Sequence, residues 1–218
     1  AWLRSQPRPA WGVTGSTYHN TYIPSESTWR GIASLTAIQR VYAGRGWAAG
    51  PHLFLAAGTS HDGVFALSPL RHPGIHAGAC NASRFGIEVV ADWDARPPTD
   101  AQIALLVATL AALHQWAGID PDVVAHRDCM PGRTCPGRYG YLIKATIQAR
   151  LASALTWHGY TAASPLCAPH AADHAAYGAA WVAACPDAAY TASDIQTIAS
   201  AYWLACAAVD LDPWLVAA

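Results

Sequence analysis

The sequence predicts an α/β domain, a mixed central β-sheet flanked by α-helices, over residues 1–155, with a short C-terminal helical extension over 156–218. Three observations predict it. Short runs rich in β-formers, such as Phe85-Gly-Ile-Glu88-Val-Val-Ala91 and Val123-Val124-Ala125, are bounded by turn residues. Between them lie longer segments with apolar residues at helical spacing, and strands mixed with packed helices give a sheet under helical cover. Hydrophobic residues make up 53% and charged residues 12%, so the chain can form a packed core and is not a disordered segment.

Taken in order, Ala1 to Ala10 carries Pro7 and Pro9 and reads as an arm. Trp11 to Asn20 is a β-rich run that ends in His19, and Thr21 to Pro24 turns the chain away. Ser27 is a suitable N-cap for a helix over 28–42, with Ile32, Leu35 and Ile38 near one face and Gly44 and Gly46 as its stop. Pro51 to Ala57 is a short apolar strand. Gly58-Thr-Ser-His-Asp-Gly63 supplies a hairpin turn, and Val64 to Leu67 returns as its partner. A loop rich in Pro, Gly and His leads to the strand containing Glu88. Glu88 faces opposite to Ile87 and Val89, and composition alone puts it on a solvated face. Thr99-Asp-Ala-Gln102 is a capping box for a helix to Trp116, with Ile103, Val107, Leu110 and Leu113 towards the core. After strand 123–125 a last helix is expected over 141–155.

Net charge is −1, which supplies neither a nucleic-acid surface nor a polybasic membrane patch. No apolar run approaches the roughly 18 residues a spanning helix needs. The chain opens at Ala1 and its only methionine is Met130, so it reads as a processed or excised piece that shows no signal peptide.

The densest chemistry lies in His126-Arg-Asp-Cys-Met-Pro-Gly-Arg-Thr-Cys-Pro-Gly137. Gly and Pro favour tight turns that let an imidazole and two thiols converge. Read alone, this loop fits a zinc site with a distant third ligand, or a turn holding a buried histidine and a disulfide cysteine. A closed structural zinc site using His126, Cys129 and Cys135 is a further arrangement of the same residues. Six cysteines are present, so if Cys135 binds metal five remain and at most two disulfides form.

Five segments now stand in one order: His19-Asn20, Gly50-Pro-His52, His76-Ala-Gly-Ala-Cys-Asn81, Phe85-Gly-Ile-Glu88, and His126-Arg-Asp with Arg133-Thr-Cys135-Pro-Gly. From about Trp11 to Leu151 the chain resembles the zinc-dependent N-acetylmuramoyl-L-alanine amidases of type 2. That family includes phage lysozyme-amidases, cytosolic anhydro-muropeptide amidases and peptidoglycan recognition proteins. The resemblance implies Zn2+ as cofactor, held by His19, His126 and Cys135, with Glu88 as acid/base. Arg133 falls where the family usually has an oxyanion-stabilising lysine. His76 and Asn81 fall in the loop lining the substrate groove, with a substrate-binding or ligand-supporting role. It also implies that Cys129 pairs with Cys80. Pro51 departs from the pattern, since some amidases place a catalytic tyrosine there. Trp47 and Trp93 are candidates to stack on sugar or peptide, core packing being the more ordinary role.

The implied activity is peptidoglycan hydrolysis at the amide between N-acetylmuramic acid and L-alanine, by a monomer that is extracellular or wall-associated, secreted or phage-encoded. A non-catalytic peptidoglycan-binding protein on the same fold is the alternative. The C-terminal part, 156–218, reads as a linker and small helical segment. It resembles the opening helices of a lysozyme-like glucosaminidase domain, possessing no glutamate after Glu88.

Overall fold

The computed structural model describes residues 2–157. The expected linker and helical extension, with Cys167, Cys185 and Cys206, lie outside the described residues. Residues Trp2–Ala152 form one compact unit.

Along the chain come α1 (Trp2–Ser5), β1 (Gly15–Asn20), α2 (Ile32–Gly44), β2 (Leu53–Ala56), β3 (Gly63–Ala66), a 3-10 turn (Gly78–Ala82) and β4 (Arg84–Val89). Then follow α3 (Asp100–Ala117), β5 (Val123–Ala125), α4 (His126–Cys129), α5 (Arg138–Leu142) and α6 (Lys144–Trp157). The five strands form one mixed sheet in the order β3-β2-β4-β1-β5. β2, β4, β1 and β5 run parallel, and β3 pairs with β2 as the antiparallel hairpin. In the hairpin turn Asp62 accepts hydrogen bonds from the backbone of Gly58 and Thr59. The expected mixed sheet flanked by helices is the observed architecture.

Paired residues share a face of a sheet. One face carries Ser16 beside Phe85 and is covered by α3, whose Trp116 meets Phe85 and whose His114 meets Ser16. α3 begins at the expected capping box of Thr99 and Gln102 and ends at Gly118 in the left-handed conformation. The other face carries His19, Glu88 and Phe54 in one row. There Trp29, Leu35, Phe54, Ala56 and Val90 pack together, with Ile38, Phe65 and Leu67 at the margin.

Three boundaries differ from the sequence reading. α2 starts at Ile32, not near Thr28, because residues 25–29 form a turn in which Ser25 N–H donates to Thr28 Oγ1. This turn delivers Trp29 into the core, where its indole N–H donates to the His61 carbonyl. Burial of one tryptophan outweighs a good local cap. Ile32 consequently stands 64% exposed, while Leu35 is buried. The N-terminal arm contains α1, then sends Arg8 over the Trp116 ring and Trp11 flat against His52. The last helix is divided into α5 and α6. α5 lies against Trp93, whose ring leaves no room for a Cβ at Gly140.

Candidate metal centre

Parallel strands place the site at their carboxyl ends, where loops diverge and backbone groups are free. His19 is the penultimate residue of β1, Glu88 that of β4, and His126 follows directly on β5. The register sets His19 opposite Glu88. Cys135 arrives on the loop after α4, which is tied back by the Arg127 N–H donating to the Cys135 carbonyl. α4 itself is anchored by Asp128, which accepts from the Ala125 N–H and the Lys144 ammonium, both at 2.8 Å, and from the Tyr141 hydroxyl.

His19, His126 and Cys135 each bring one ligand atom to within 4.8 Å of the others. His19 Nδ1 lies 3.0 Å from His126 Nδ1 and 3.6 Å from Cys135 Sγ. A tetrahedral zinc, with bonds of about 2.0–2.1 Å to nitrogen and about 2.3 Å to sulfur, holds its ligand atoms roughly 3.3–3.6 Å apart.

Hydrogen-bond roles sharpen this fit. The Arg84 carbonyl can only accept, so His76 Nε2, 3.1 Å away, carries the proton. Burial lowers the His76 pKa to about 3, so the ring is neutral and its Nδ1 is an acceptor. His19 Nε2, 3.1 Å from that atom, is therefore the donor, and His19 Nδ1 is left with a lone pair. Burial lowers the His19 pKa as well. His126 Nε2 lies 3.4 Å from the Met130 thioether, an acceptor, which turns its Nδ1 lone pair to the same point. Two imidazole lone pairs and a thiol directed at one spot suit a cation. Burial, followed by the Glu88 charge, raises the Cys135 pKa when no cation is beside it.

Glu88 is not on a solvated face, as composition suggested. Its side chain is 13% exposed, Oε1 stands 3.9 Å from His19 Nδ1, and Oε2 is buried without a hydrogen-bond partner among the described residues. Burial pushes its carboxyl up to about 8. Arg133 is exposed on the same loop as Cys135, and its charge is the second cause, after burial, that lowers the His126 pKa.

His76 thus meets the candidate ligand His19. Asn81 meets the backbone, its Oδ1 accepting from the N–H groups of His76 and Ala77. Gly86 makes the His76 position available, since a Cβ there would lie 2.5 Å from the ring. Cys80 and Cys129 form a disulfide, as the resemblance implied, which joins the 3-10 turn to α4 and removes Cys129 from any ligand set. Trp93 is core, its indole donating to Gln102, whereas Trp47 is partly exposed under Arg45. A recess of 320 Å³ lined by Glu26, Ser27, Gly58, Thr59, Ser60 and Arg96 contains none of the clustered groups. Sequence reasoning missed Asp128 and Met130. A carboxylate three residues past the end of a strand is a readable cap signal for the former; Met130 carries none.

Residues 10–138 match the family model described as N-acetylmuramoyl-L-alanine amidase. No curated protein matches the chain. Among solved structures, the amidase LysC from Clostridium intestinale URNW superposes with a TM-score of 0.53 at 24% identity, over 65% of this chain and 86% of that one. The endolysin amidase LysCS from the same organism gives 0.51 at 25% identity, over 63% and 84%. A Drosophila peptidoglycan recognition protein, PGRP-LB, in complex with tracheal cytotoxin, gives 0.53 at 21% identity, over 65% and 86%. The first and the last of these are likenesses of fold. No helix among the described residues is long and apolar enough to cross a membrane. With its model matched across the sheet and every clustered side chain, the chain belongs to the N-acetylmuramoyl-L-alanine amidase family.

Proposed function

We propose that the chain is a zinc-dependent peptidoglycan hydrolase that cleaves the amide between N-acetylmuramic acid and L-alanine. The observation that carries the reading is the convergence of His19 Nδ1, His126 Nδ1 and Cys135 Sγ on one point, with the Glu88 carboxylate alongside. A zinc ion held there would polarise the scissile carbonyl and lower the pKa of a bound water towards about 7. Glu88, kept from solvent and with one oxygen unpartnered, takes a proton from the attacking water and returns it to the departing amine nitrogen. The C–N bond breaks to give a lactyl carboxylate and the free amine of L-alanine. Arg133 brings positive charge towards the carbonyl oxygen, although its planar head differs in shape from a lysine ammonium. His76 holds the His19 tautomer, and Asn81 holds the loop that carries His76. The protein acts as a monomer on cell-wall material outside the cytoplasm.

The test is zinc content by plasma mass spectrometry on wild type and Cys135→Ser, together with release of amino groups from purified peptidoglycan. Zinc at about one per chain, lost in the variant together with amine release, is the expected result. Zinc without amine release would identify a peptidoglycan-binding protein. Absence of zinc from a properly folded wild type would reduce the relationship to fold.

A further inference from the structure

Among the described residues Tyr22 is the sole non-glycine with a positive φ, 58°. A bulky aromatic residue ordinarily avoids this region, so the surroundings must impose it. They do so from both sides. Tyr22 N–H donates to the Ala91 carbonyl and Thr21 N–H to that of Val89, both at 2.9 Å. The Thr21 hydroxyl donates to the Pro24 carbonyl, and the Asn20 amide to Ala91. The outcome is two neighbouring apolar side chains held in solvent, Tyr22 at 55% and Ile23 at 77% exposure.

Their place gives this a meaning. Tyr22 lies three residues past His19, about 10 Å along an extended chain. The intervening Asn20 offers its carbonyl to Cys135 at 3.9 Å, and Ala91 is three residues past Glu88. The exposed pair is therefore built on the continuation of β1, held by backbone bonds to the continuation of β4, the two strands that carry His19 and Glu88. We propose that Tyr22, backed by Ile23, determines specificity by stacking on a pyranose ring on the glycan side of the scissile bond. The two sides of that bond differ in chemistry. The glycan presents flat faces of C–H groups, whereas the stem peptide carries carboxylates and amines. An uncharged aromatic face next to an aliphatic one matches the former.

This inference rests on the amidase reading, and its test separates the two. Half-saturating peptidoglycan concentration and turnover are measured for wild type, Tyr22→Phe, Tyr22→Ala and Tyr22→Gly, with zinc content and melting temperature for each. Tyr22→Phe should resemble wild type. The Ala and Gly variants should need roughly three- to tenfold more peptidoglycan, with turnover and zinc little changed. Tyr22→Gly should melt no lower than Tyr22→Ala, since glycine accepts the backbone conformation. On a lactyl-peptide without a sugar all four proteins should be equal. An unchanged requirement for peptidoglycan in Tyr22→Gly, or an equal loss on the sugar-free substrate, overturns the proposal. If wild type releases no amine, co-sedimentation with insoluble peptidoglycan decides instead: weaker sedimentation of Tyr22→Gly supports the contact, and equal sedimentation overturns it.

Discussion

His19 Nδ1 and His126 Nδ1 face each other at 3.0 Å while the opposite nitrogen of each ring is engaged, on His76 and Met130 respectively. Like-directed lone pairs at that distance repel unless a proton or a cation stands between them. The protein therefore supplies a pre-oriented nitrogen pair, and the orientation of one half depends on His76, which lies outside the His19, His126 and Cys135 cluster.

His76→Ala removes the acceptor that fixes the His19 tautomer. Metal affinity should fall about 10- to 100-fold, as it does when an outer partner of a ligating histidine is lost. Competition against a chelator of known affinity measures this directly, and an unchanged affinity would mean that β1 alone orients His19.

Glu88→Gln keeps the shape of the side chain and abolishes its basicity. Amine release should drop by about 10²–10⁴-fold with zinc stoichiometry retained. Full activity in this variant would remove Glu88 from proton transfer.

The Cys80–Cys129 bridge closes a loop with a sequence separation of 49. Loop-closure entropy for a ring of that length corresponds to about 4 kcal/mol. The double variant Cys80→Ser with Cys129→Ser should lose stability of that order in denaturant titrations. It should also release zinc more readily, because α4 begins with the proposed ligand His126 and ends at the bridge. Unchanged zinc retention would show that Asp128 suffices to hold α4.

Buried His114, set between Ser16 and the Asp120 carbonyl, has its pKa lowered to about 4, chiefly by burial. Above the unfolded value of about 6.5 neither state is protonated and pH has no effect through this group. As pH falls through 6.5 the unfolded chain takes up a proton that the folded one refuses, so stability declines until about pH 4, by about 3 kcal/mol in all. Denaturation of metal-free protein between pH 7 and 4 should show a steeper loss for wild type than for His114→Gln. Equal slopes would contradict the assignment.

Strand ends could be read from the sequence because β-rich runs stop at turn residues, and this put His19 and His126 at the ends of strands, whereas Glu88, inside a longer run, was joined to them only by the resemblance. The capping box at Thr99 could be read for the same local reason. The burial of Glu88 could not: a period of two says which residues share a face, and is silent about what covers that face. The start of α2 was hidden because Ser27 obeys every local rule for a cap, while Trp29, two residues later, is claimed by a core assembled from Phe54 and Val90. The link from His76 to His19 depends on a loop crossing a strand at Gly86, a contact across 57 residues of sequence. Tyr22 gives no warning at all, since its backbone conformation is one its own side chain opposes.

Gly86 carries a consequence for anyone who varies this protein. It bears no functional group and sits inside an ordinary strand, so a randomised library or a consensus redesign would treat it as free to change. Yet a single methyl group there would fall on the His76 ring. The ring that would have to shift is the one that receives the His19 N–H, so the change would reach the proposed metal site as well as the packing of the strand. Position 86 therefore belongs with His19, His126 and Cys135 among those to be held fixed.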